Sequence, residues 1–185
     1  MSMIFIIRHA AKPNGSYLGV NGFGANDPES LTPLGWQRAG ALAVFFGSKD
    51  GLPAPDQIYA AASGKKQVAP GVNAGSKSNR PTETVNPLAS KLKKGPIETY
   101  ALGEEARLVE EIVKLDGATL ISWQHEAIPE IAKLILGTAA GIPDTWPGDR
   151  FDVVWCFSRA DADKPRSFEQ VCQCLLAGDA EVPIP

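Results

Sequence analysis

The apolar positions of the chain fall into short blocks of two kinds. Met3–Ile7 is an unbroken apolar run, the pattern of a strand buried on both faces. Pro13–Pro28, rich in glycine and asparagine, reads as a loop. Leu34, Ala39, Leu42 and Phe46 then recur near helical spacing. Thr32 is placed to cap that helix, Pro33 suits its first position, and Gly47 stops it. Gln57–Ala61 is a second short strand, and Ser63–Asn79 reads as a long polar loop.

A second helix is predicted from Pro81 to about Lys94, with Pro87 expected to kink or restart it. Ile97–Tyr100 is a weak strand. Glu104–Leu115 carries Leu108, Ile112 and Leu115 on one helical face. Ala118–Trp123 is a strong buried strand and Glu126–Leu136 a helix, with Pro129 tolerable in its first turn. Phe151–Phe157 and Phe168–Leu176 read as the last strands. Strands alternating with helices predict an α/β fold, a three-layer α/β/α sandwich around a largely parallel sheet. No repeat or linker divides the chain, so residues 1–185 are expected to form one domain.

Composition narrows the classes of function. A chain of 185 residues with 44% hydrophobic and 21% charged residues can bury a full core without disulfides or metal. The net charge of −3 gives no reason to expect a nucleic-acid or membrane partner. No apolar run reaches the length of a membrane span, and MSMIFII-Arg8 lacks the basic start of a signal peptide. Cys156, Cys172 and Cys174 then read as reduced thiols in a cytoplasmic protein, and the sequon Asn14-Gly15-Ser16 as accidental.

The chain holds two histidines, His9 and His125, each within two residues of the end of a strong apolar strand. In a parallel sheet such strand ends share one edge, where α/β proteins bind ligands. The two rings are therefore expected to be neighbours, and imidazole suits nucleophilic or acid–base work near neutral pH. Arg8 precedes the first histidine and Arg80 opens the second helix. A planar guanidinium grips phosphate through two parallel hydrogen bonds. Lys65, Lys66 and Lys77 are expected to be solvated loop residues, and Trp123, Trp146 and Trp155 to pack in the core.

Other chemistries lack their motifs. There is no G-x-x-x-x-G-K-[ST] and no G-x-S-x-G. Gly19-Val20-Asn21-Gly22-Phe23-Gly24 has the wrong glycine order for a dinucleotide site. His125-Glu126 begins like a zincin, but Pro129 stands where the second histidine would be. Cys172-x-Cys174 lacks a second ligand pair at zinc spacing.

Four blocks taken together resemble the histidine phosphatase superfamily, which includes phosphoglycerate mutases and acid phosphatases. Ile7-Arg8-His9-Ala10 resembles its Arg-His-Gly signature, and Leu31–Gly40 its next block. Ser78-Asn79-Arg80-Pro81-Thr82-Glu83-Thr84 resembles the segment that gives its second phosphate-binding arginine. Leu120–Glu126 resembles the strand ending in its second histidine. The blocks stand in the family's order over roughly residues 3–135.

The resemblance implies a phosphoglycerate mutase-like fold and a phosphomonoesterase with no metal and no cofactor. His9 would attack phosphorus and become a phosphohistidine, while Arg8, Arg80 and His125 surround the phosphate. Ala10 replaces the family's glycine, a small change that keeps the turn. Lys12 stands where the acid phosphatase branch has a further phosphate-binding arginine. It can neutralise charge but cannot grip bidentately. The acid that protonates the leaving alcohol has two possible places. Glu126, directly after the second histidine, follows the acid phosphatase branch and is preferred, while Glu104 and Glu105 follow the mutase branch. The implied partner is a phosphorylated small molecule or protein, or free phosphate. Substrate choice would depend on the loops Pro13–Pro28 and Ser63–Asn79. A mutase is disfavoured because the acidic and polar pattern mutases carry after Arg-His-Gly is absent. The presence of both histidines and both arginines argues against a non-catalytic phospho-ligand binder, although binding alone could use them.

Overall fold

The computed structural model describes residues 1–185 apart from Lys65, Pro70 and Ala162, and apart from the side chains of Lys66, Val68, Ala69 and Val72. Its strands are β1 (Ser2–Arg8), β2 (Gln57–Ala60), β3 (Lys66–Ala69), β4 (Val72–Ala74), β5 (Gly117–Trp123), β6 (Val153–Arg159) and β7 (Ser167–Cys172). Its helices are α1 (Pro33–Phe45), α2 (Arg80–Lys91), α3 (Glu105–Ile112) and α4 (Ile128–Leu136). The main sheet has five strands in the order β2-β5-β1-β6-β7. No helix among the described residues is long and apolar enough to cross a membrane.

β1 is central because it is apolar on both faces. Ile4 and Ile6 join one core cluster, with Leu108 and Ile112 of α3 and Ile128 and Ile131 of α4. Phe5 and Ile7 join another, with Leu42 of α1 and Val85, Leu88 and Ala89 of α2. The side chains of a strand alternate, so these clusters lie on opposite faces of the sheet. Trp123, Trp146 and Trp155 are all in the first cluster, as expected of core residues.

The sheet is mixed rather than largely parallel. β1 and β2 run parallel to β5, but β6 is antiparallel to both β1 and β7. The cause lies in the chain after α4. A standard crossover would bring the next strand in at the foot of the sheet. Here the segment 137–152 climbs back to the end where β1 stops, and Val154 enters opposite Ile7. That return delivers backbone to Arg8, described below.

Three local expectations are corrected. The stretch Ser63–Asn79 is not all loop, because β3 and β4 pair antiparallel. Two strands of three and four residues are too short to show a period. α2 runs through Pro87 without restarting. Proline removes one helical hydrogen bond, and burial of Val85, Leu88 and Ala89 against α1 holds the helix together. Ile97–Tyr100 is no strand, and Ile97 makes only an isolated parallel bridge to Tyr59.

α1 begins as predicted, with Thr32 Oγ1 accepting from Gly35 N at 3.2 Å and Pro33 in the first turn. Gly35 has a further reason. A Cβ there would stand 2.6 Å from the Ala11 carbonyl oxygen. Its absence lets α1 lie directly on the backbone that follows His9, and Thr32 N donates to that same carbonyl at 3.0 Å.

Candidate active site

The register of the parallel strands brings the two histidines together. Arg8 and Trp123 are Cα partners at the ends of β1 and β5. The His9 N–H continues the ladder by donating to the Trp123 carbonyl at 3.0 Å. His9 and His125 line one cleft of 380 Å³ with Lys12, Arg80, Gln124 and Glu126. Lys77, expected to be solvated, also lines it, as do Glu29, Ser76 and Ser78. Lys65 and the side chain of Lys66 lie outside the described residues.

His9 is 4% exposed. Its Nδ1 lies 2.8 Å from the Ala10 carbonyl oxygen. A carbonyl can only accept, so Nδ1 carries the proton and Nε2 keeps its lone pair. Burial, reinforced by Arg8, Arg80 and His125, pushes His9 down to about 3, so its ring is neutral throughout the physiological range. His125 is also lowered, first by burial and then by Arg8 and Lys12, against the pull of Glu126.

Arg8 is 1% exposed. Its Nη1 is tied to the carbonyls of Pro147, Gly148 and Arg150 at 3.1, 2.8 and 3.1 Å. The Phe151 ring lies 3.9 Å from its guanidinium carbon. Nε and Nη2 are buried without a protein partner. These nitrogens form the edge on which a guanidinium offers two parallel bonds to an oxyanion, and Arg8 is buried beside His9 without being among the residues that line the cleft. Burial lowers Arg8 to about 10, against Glu126 and Asp149, so it stays charged near neutrality. Arg80 repeats the design. Its Nη1 donates to the Pro28 carbonyl at 2.9 Å and its Nη2 stands 3.7 Å from Glu29 Oε2, while Nε is buried and unpartnered. Unmade hydrogen bonds on a buried cation are costly, and an anion would supply the missing acceptors.

Thr84 ties the two halves together. Its Oγ1 accepts from Ala10 N at 2.8 Å and donates to the Arg80 carbonyl at 2.7 Å. Glu83 does the same one step away, accepting from Ser30 Oγ at 2.7 Å and Leu31 N at 2.8 Å.

The two placements of an acid separate clearly. Glu126 lines the cleft, and its Oε2 lies 2.8 Å from His125 Nδ1. That contact is a close approach without hydrogen-bond direction, since Nδ1 has no aligned acceptor. Glu104 and Glu105 do not line the cleft. Glu104 accepts from Ala101 N at 3.1 Å and from Arg107 at 2.5 Å. Glu105 Oε1 accepts from Gly103 N at 2.9 Å and from Trp123 Nε1 at 3.0 Å, and serves the start of α3.

Sequence reading did not single out Thr84, Phe151 or Gln124 for a role of their own. Thr84 belongs to the Ser78–Thr84 block, but nothing in its spacing announces a hydroxyl that joins the turn after β1 to the start of α2. Phe151 reads from the sequence as the start of a strand, and the structure places it just before β6. Among the described residues no group of three or more His, Cys, Asp and Glu side chains is clustered to hold a metal ion. No protein-family model and no curated protein sequence matches the chain.

The buried neutral ring of His9 has a consequence for stability. Unfolded, the imidazole takes a proton at its ordinary value of 6.5, whereas folded it resists protonation down to about 3. The contribution of a neutral His9 is complete above 6.5 and is lost as pH falls from there towards 3. Between pH 7 and pH 5 it costs about 2 kcal/mol by linkage. His9→Ala should therefore show a pH-dependent drop in urea-unfolding free energy smaller by about that amount. The same drop in both proteins would mean that His9 is not held neutral.

Proposed function

We propose that the chain is a metal-independent phosphomonoesterase of the histidine phosphatase type, built as a three-layer α/β/α phosphoglycerate mutase-like domain and acting through a phosphohistidine on His9. The observation that carries this reading is the pairing of a neutral His9, its Nε2 lone pair free, with the unpartnered donor edge of Arg8. A nucleophile and an oxyanion clamp side by side at the end of one strand are what transfer of a phosphoryl group needs.

In this mechanism Nε2 of His9 attacks phosphorus, a P–N bond forms, and the ester P–O bond opposite breaks. Arg8 Nε and Nη2, Arg80 Nε and a ring N–H of His125 donate to the equatorial oxygens. Glu126, in its acid form, gives its proton to the departing alkoxide. A water then attacks the phosphohistidine, Glu126 takes the proton from it, and the P–N bond breaks to release inorganic phosphate. Lys12 neutralises the dianion on approach. The cations that balance the phosphate are side chains, so turnover should persist in EDTA.

Two substrates test this reading. p-Nitrophenyl phosphate releases a phenolate that departs without a proton, while an alkyl phosphate needs one. Wild-type protein should hydrolyse both. Glu126→Gln should lower kcat on the alkyl ester by about 10²-fold or more and on the nitrophenyl ester by less than about tenfold. Equal losses on both would remove Glu126 as the donor. Binding of inorganic phosphate without turnover of either ester would make the chain a binder.

A further inference from the structure

Gln124 separates Trp123, the last residue of β5, from His125. It is 5% exposed, yet it lines the cleft. Its Nε2 donates to Ser76 Oγ at 3.1 Å. Ser76 Oγ also accepts from the Ser78 N–H at 3.2 Å, so this hydroxyl holds the amide by its nitrogen side. The carbonyl Oε1 is buried and has no partner in the protein.

An unpartnered buried acceptor calls for a donor. The oxygens of a phosphate dianion are acceptors themselves, and Arg8 and Arg80 already offer them donors. An ammonium group would be a donor, but Lys12, Lys77 and the two arginines outnumber Glu29 and Glu126 here, which disfavours a further cation. A hydroxyl is a neutral donor, and the organic part of a phosphate ester is where a substrate carries one.

We propose that Gln124 is a specificity-determining residue whose Oε1 accepts a hydrogen bond from a hydroxyl of the substrate, so that the cleft selects phosphate monoesters of polyols over those of simple alcohols. The proposal rests on the phosphomonoesterase reading. Ser76 is its positioning residue, holding the amide by its nitrogen and leaving Oε1 as the end without a partner.

The test compares glycerol 3-phosphate with n-propyl phosphate, which differ only in hydroxyl groups. Wild-type kcat/KM should favour the glycerol ester by about tenfold or more, the worth of one buried hydrogen bond left unmade by the other ester. Gln124→Met, close in shape but without the carbonyl, should bring the ratio towards one. Ser76→Ala should lower the ratio part of the way. The ratio within one preparation is independent of how much protein is folded, so a partly unstable variant still reads out. A wild-type ratio near one, or a wild-type ratio retained in Gln124→Met, would overturn the proposal. If no ester is turned over, p-nitrophenyl phosphate included, the phosphomonoesterase reading fails and takes this one with it.

Discussion

His9→Ala is expected to lower turnover of p-nitrophenyl phosphate by about 10³-fold or more while leaving the chain folded, because removal of an attacking group leaves only binding and oxyanion stabilisation. The fold should survive because the backbone tie does not involve the ring. The His9 N–H still reaches the Trp123 carbonyl, and the Ala10 N–H still reaches Thr84. The ring is buried, with the Phe151 centroid 6.3 Å away, and its removal leaves both of these backbone bonds in place. A variant that keeps more than about a hundredth of wild-type kcat would remove His9 as the nucleophile.

Arg8→Lys is expected to lower kcat/KM by about 10²–10³-fold, the cost of losing an oxyanion donor from a preorganised site. The change keeps the charge, so the loss measures geometry. The carbonyls of Pro147, Gly148 and Arg150 that now hold Nη1 would hold the ammonium instead, and no planar edge would remain for an oxyanion. Inorganic phosphate should raise the melting temperature of wild-type protein and raise that of Arg8→Lys much less. An equal rise in both would show that Arg8 serves the fold alone.

The centre of this arrangement could be read from the sequence because two strong signals coincide. β1 and β5 are apolar on both faces, which makes them central strands, and each ends within two residues of a histidine. Adjacent parallel strands then leave the two rings little choice but to meet. The helix starts at Thr32 and Arg80 were legible for similar reasons, since proline and capping residues act locally.

What could not be read depends on the return path of the chain. The direction of β6 is set by the segment 137–152, whose sequence does not say at which end of the sheet it will arrive. That same segment supplies the carbonyls that orient Arg8 and the ring of Phe151 beneath it. The sequence therefore names the arginine and not the anchor that leaves its other edge free. Glu104 and Glu105 show the converse. Their position suits both a proton donor and the start of a helix, and only the contacts with Ala101, Gly103 and Trp123 separate the two. Gln124 has no pattern at all, because an unpartnered carbonyl becomes visible only when every neighbour is placed.

His9 is expected to carry the phosphoryl group during turnover. The most direct measurement is the mass of the protein quenched in alkali within the first turnovers of p-nitrophenyl phosphate, followed by location of any added phosphoryl group by peptide sequencing. Phosphohistidine survives alkali and is lost in acid. One added phosphoryl group, alkali-stable and acid-labile, is expected on His9. Steady turnover with His9 unmodified, or with the group on His125 or a serine, would contradict it.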